Sequence, residues 1–115
     1  MKEGETMEYN RLIDMCMPFI QMLVDPTMDP ELSLEILKRL KMEMVLDIQA
    51  VMIVGKQAVE SELEEPHSDA ISVYQVCRKD LPDFDEIEEL WYLVQPKAIQ
   101  ALKDGMWALK LGGTR

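Results

Sequence analysis

A thiol nucleophile needs a neighbouring base, and this chain offers two cysteines, Cys16 and Cys77, against a single histidine, His67. Any Cys/His or Ser/His/Asp constellation therefore has at most one centre. No secretory signal is visible, and two isolated thiols then read as reduced, buried, small apolar side chains rather than a disulfide framework. His67 closes the run Glu64-Glu65-Pro66-His67. That Glu-x-x-His spacing puts two ligands on one helix face in carboxylate-bridged metal bundles. Pro66 ends a helix at this point, and the second Glu-x-x-His that such a centre requires is missing from the chain, so the sequence predicts a solvated turn histidine.

Ten methionines are many for 115 residues, and Met15-Cys16-Met17 and Met42-Glu43-Met44 both show a thioether spacing that soft metals accept. Side chains two apart on a helix point in different directions, so these pairs converge only outside regular helix. Methionine as filler of irregular core gaps is the expectation, with a Met-rich surface adapting to a partner helix as the alternative. Hard cations are the other metal class to weigh. The run Asp83-Phe84-Asp85-Glu86-Ile87-Glu88-Glu89 lacks the glycine and the loop spacing of an EF-hand. Glu62, Glu65, Glu86 and Glu89 have the residue type with which small all-helical nucleotide pyrophosphohydrolases hold Mg²⁺. Their match to that family's pattern is poor, and only Arg78 and Lys79 stand nearby for substrate phosphates. No metal or other cofactor is expected.

The elements that must carry these residues read as helices. From about Glu8 to Val24, Tyr9, Leu12, Ile13, Cys16, Phe19, Ile20 and Leu23 recur at steps of three and four, the mark of an amphipathic helix. Pro26 and Pro30 make residues 25–30 a linker. Asp29 then caps a helix that begins at Pro30. No proline follows until Pro66, and residues 44–54 are apolar almost all round. A continuous helix from 31 to 64 would be about 50 Å long, against an expected radius of gyration of about 13 Å. Either the chain breaks near Gly55, or the helix is continuous and a second copy of the protein covers its surplus apolar face. The second is the expectation, because one helical glycine costs only about 1 kcal/mol.

Ser68 caps a segment from Asp69 to about Lys79, read as helix with a strand as the alternative, since Ile71-Ser72-Val73-Tyr74-Gln75-Val76-Cys77 is β-branched and aromatic. Asp83 and Glu86 have the form of a capping box. The helix behind them sets Phe84, Ile87, Leu90, Trp91 and Val94 on one side. Pro96 opens the last helix, which Gly112-Gly113 stops. The predicted fold is a single all-α domain over residues 1–115, a small bundle of four or five helices with one long apolar central helix.

Charge carries the functional reading. With 22 acids against 12 bases the net charge is -10, which repels nucleic acid and anionic membranes alike. Residues 57–96 hold eleven of the acids and two bases, a net -9, while residues 97–115 carry +3. An apolar share of 48% gives a real core, so wholesale disorder does not fit, and no segment reads as a membrane span. The reading is a cytoplasmic homodimer that binds another protein: an acidic regulator or inhibitor, or a nucleic-acid mimic, that docks on a basic partner surface. Glu60, Glu62, Glu64, Glu65, Asp83, Asp85, Glu86, Glu88 and Glu89 would make that contact. An assembly chaperone or adaptor using a Met-rich apolar face is the alternative.

Overall fold

The computed structural model describes residues 12–61, 70–80 and 87–111. A π-helical turn, Leu12–Cys16, runs directly into α1, Met17–Leu23. The cause lies at Pro18, which has no amide hydrogen for the carbonyl of Asp14 and whose ring crowds it. The backbone ahead of the proline takes the wider winding instead. In the linker, Asp25 Oδ1 accepts hydrogen bonds from the Thr27 hydroxyl at 2.7 Å and the Thr27 amide at 2.9 Å. These two bonds, the hydroxyl's first, hold the Asp25 carboxyl below its ordinary value of 3.8. Asp29 caps as the sequence predicts: its Oδ1 accepts from the Glu31 amide at 2.9 Å, with Pro30 in the first helical turn.

α2 spans Pro30–Arg39, α3 Met42–Glu60, α4 Ala70–Asp80, α5 Ile87–Leu93 and α6 Pro96–Ala108. There is no strand among the described residues, so the segment with strand-like composition is the helix α4. Its burial follows the helical period, since Ala70 and Tyr74, one turn apart, are both buried while Val76 is exposed. The capping box at Asp83 and Glu86, the Glu64–His67 turn and the terminal glycines lie outside the described residues.

The continuous helix from 31 to 64 is not formed. Leu40 and Lys41 are both extended, with ψ of 151° and 148°, and divide it into α2 and α3. That break supplies the sixth helix where four or five were expected. Size gives the physical reason: the longest axis of the molecule is 38 Å, shorter than the roughly 50 Å such a helix needs. Folding back at Leu40 lets α2 lie against α1 and α5 and bury Leu37 and Ser33. Lys38 and Arg39, in the last turn of α2, sit where the helix dipole favours cations.

Much of the apolar surface of the central segment is covered within the chain itself. α3 is buried along most of its 19 residues by α6, α4 and the π turn of its own chain. Gly55 is no hinge, since α3 continues through it to Glu60. It sits where α3 crosses α6. A Cβ built on Gly55 would collide with the carbonyl oxygen of Ala101 and lie 2.6 Å from the amide nitrogen of Gly105. A Cβ on Gly105 would collide with the carbonyl oxygen of Val51. The two glycines let the backbones touch.

α6 ends four residues before the first C-terminal glycine. The Leu111 amide bonds the Met106 carbonyl at 2.8 Å and the Lys110 amide bonds the Trp107 carbonyl at 3.1 Å. This is a Schellman motif, and its left-handed position is filled by Lys110 at φ 56°. Leu111, just beyond, is buried against the core. No helix among the described residues is long and apolar enough to cross a membrane.

Candidate functional site

The strongest polar constellation is internal. Asp47 lies in the apolar run of α3 and is fully buried. Arg78, on the inner face of α4 one turn beyond Tyr74, donates from Nε to Asp47 Oδ1 at 2.6 Å. Its Nη2 reaches the Glu43 carbonyl at 3.4 Å. The Cys16 thiol, at the end of the π turn, donates to Asp47 Oδ2 at 3.7 Å. One carboxylate thus gathers the π turn, α3 and α4. A buried ion brings a large desolvation cost, which attraction and hydrogen bonds on both oxygens must offset. Closed away from solvent, this group positions helices and is not placed to meet a substrate.

The cysteines do not bond to one another. Cys16 is buried as expected, whereas Cys77 is half-buried and receives a long contact from Gln57 Nε2 at 4.0 Å. The methionine pairs diverge as helical geometry requires: Met15 is exposed and Met17 half-buried, Met42 exposed and Met44 buried. Met52 and Met106 also fill the core, and Met22 is exposed. The methionines are therefore divided between core and surface. Among the described residues no group of three or more His, Cys, Asp or Glu side chains gathers to hold a metal ion.

Of the nine acids expected to face a partner, Glu60 is placed, exposed on the last turn of α3. Glu88 and Glu89 belong to α5, though their side chains lie outside the described set. Glu62, Glu64, Glu65, Asp83, Asp85 and Glu86 lie outside the described residues. Around Glu60 the surface is a shallow depression shared with Lys56, Val59, Lys97 and Asp104. Next to it, between α3, α5 and α6, lies a smaller cleft of about 50 Å³, walled by Gln49, Ile53, Lys56, Tyr92 and Leu93. A third hollow, rimmed by Pro26, Pro30 and Pro96, separates the linker from the start of α6.

The chain has no significant match among protein-family models, curated proteins or solved structures. The site therefore rests on its own chemistry. Sequence reasoning passed over Asp47 and Gln49, and weighed Arg78 only as a contact for substrate phosphates. A signal for the first was present: a lone carboxylate inside Met44-Val45-Leu46-Asp47-Ile48 predicts a buried charge that must find a cation. Gln49 carried no such signal. Its Oε1, like Gln75 Nε2, is buried without a hydrogen-bond partner, which only the packing reveals.

Proposed function

We propose that this chain works by binding another protein rather than by catalysis: a small, cytoplasmic, acidic regulator or inhibitor, or a nucleic-acid mimic, that docks its negative face on a basic surface. One observation supports the reading above the others. Residues 57–96 contain only two bases, and Arg78, one of them, turns inward to Asp47, an acid outside that stretch. Eleven acids are left with Lys79 as the one base of the stretch not committed to the core. Such unbalanced charge raises the rate of encounter with a cationic surface and sets its orientation.

The test is affinity capture of the tagged protein from its native lysate on a salt gradient, beside the variant Glu60→Lys/Glu88→Lys/Glu89→Lys. A stoichiometric basic partner, released at moderate salt and lost from a variant that melts normally, supports the reading. A partner held equally by the variant overturns it. One that survives high salt favours the adaptor alternative, for which the exposed Met15, Met22 and Met42 are the specific observation. The homodimer that the sequence suggests has its own test: a monomer mass in solution at micromolar concentration would remove it.

A further inference from the structure

The hollow between the linker, the start of α2 and the start of α6 measures about 340 Å³, within the range of roughly 300–1,000 Å³ that small-molecule sites occupy. Its walls are apolar and set before any ligand arrives. Leu23, Val94 and Ile99 supply apolar surface, the first two of them buried. Pro26, Pro30 and Pro96 stand around it with φ locked by their rings. The linker wall is pinned as well, by the Asp25–Thr27 bonds, by the Met28 amide on the Asp25 carbonyl at 3.0 Å and by the Asp29 cap. A site preorganised in this way loses little entropy when it is filled.

Four polar side chains line the hollow, and one of them, Gln100, is committed to Asp104 at 3.3 Å. The other three are available. Ser33 is 3% exposed, and its hydroxyl has no hydrogen-bond partner among the described residues. It is not sealed off, and what surface Ser33 retains opens on the hollow that it lines. Lys103 on α6 is half-buried, and Asp25 on the linker is exposed. Among the described residues neither joins an ion pair, with the other or with a third group. Both Thr27 bonds fall on Asp25 Oδ1, which leaves Oδ2 without a donor. A half-buried ammonium without a counter-ion has lost part of its hydration with nothing in return.

We propose that this hollow binds a free α-amino acid with an apolar side chain, its carboxylate on Lys103, its ammonium on Asp25 and its side chain against Leu23, Val94 and Ile99. The Ser33 hydroxyl can donate to the carboxylate or accept from the ammonium. Charge selects the zwitterion. A simple carboxylate answers Lys103 but meets Asp25 in a chain of net -10, and a simple amine leaves Lys103 unpaired beside its own charge. An amino acid answers both groups and carries no net charge, so the field of the whole chain neither draws nor repels it. This site is independent of the docking reading, whose acids Glu60, Glu88 and Glu89 do not line it.

NMR titration of the full chain with L-valine, L-leucine and L-phenylalanine tests the site, beside glycine and two analogues of leucine that keep its isobutyl group and one charge each, 4-methylpentanoate and 3-methylbutylamine. At least one of the three apolar amino acids shifts the Ser33 and Ile99 backbone amides to saturation, while glycine does not. Each single-charge analogue binds about tenfold more weakly than leucine. Lys103→Gln weakens the amino acid about tenfold and does not weaken 3-methylbutylamine. Asp25→Asn, which keeps an acceptor for Thr27, weakens the amino acid by a similar factor and does not weaken 4-methylpentanoate. Ser33→Ala costs about fivefold. Shifts that stay linear to about 20 mM for all three amino acids, an equal response to leucine and 4-methylpentanoate, or binding unchanged in both charge variants while these melt normally would each overturn the site.

Discussion

α3 meets its two main neighbours by opposite means. Towards α6 the contact is backbone on backbone, with Gly55 and Gly105 stripped of side chains so that Val51 and Ala101 can approach. Towards α4 the contact is made by long side chains, and its centre is the Asp47–Arg78 ion pair. The first junction is specified by shape: it tolerates no added volume, and nothing in it needs a particular charge. The second is specified by chemistry, since only a cation in the right place relieves Asp47. Together they fix different degrees of freedom, the α6 crossing setting distance and the α4 pair setting register.

The largest effect expected from separating these two modes falls on the α4 side. Arg78→Met leaves Asp47 buried without its cation and costs about 3–5 kcal/mol, read by urea denaturation. A loss below about 1 kcal/mol would mean that the carboxylate is relieved some other way and that charge does not specify this junction. Gly55→Ala comes next, and here the sign decides. Helix propensity alone predicts a gain of about 1 kcal/mol, while a Cβ driven into the Ala101 carbonyl predicts a loss of about 3 kcal/mol. A thermal shift upwards would refute the close crossing. The double variant Asp47→Leu/Arg78→Met sharpens the contrast, because removing both charges should leave stability within about 1 kcal/mol of the parent. No such rescue is available to Gly55→Ala, whose obstacle is backbone. The smallest change concerns the end of α6. Lys110→Gly relieves a left-handed backbone at φ 56° and should stabilise by about 0.5–1 kcal/mol. Destabilisation instead would show that the lysine side chain has a role there.

Much of this architecture is legible in the sequence because helical periodicity and capping are local. Asp29 and Pro30 announce α2, Pro96 announces α6, and the spacing of Leu12, Cys16, Ile20 and Leu23 gives the buried face of the first helix. The break at Leu40 is not local. No proline or glycine marks it, and its cause is the limited span of the whole molecule. Lys38 and Arg39 in succession were the one local hint of a helix end. A helix running through Gly55 is legible, but the contact that Gly55 makes is not, since a glycine in a helix looks the same from the sequence whether it bends or admits a neighbour. The candidate site divides in the same way. Acidity is written in composition, whereas the withdrawal of Arg78 and the unpaired oxygen of Gln49 depend on which helix faces meet.

The pairing of Asp47 with Arg78 bears on descent as well as on stability. A lineage that keeps this fold cannot replace either residue alone without passing through a chain that carries an orphaned charge in its interior. Exchange is open only to both positions together, or in an order cushioned by stabilising changes elsewhere. Relatives of this protein are therefore expected to vary at 47 and 78 as a couple, polar with polar or apolar with apolar.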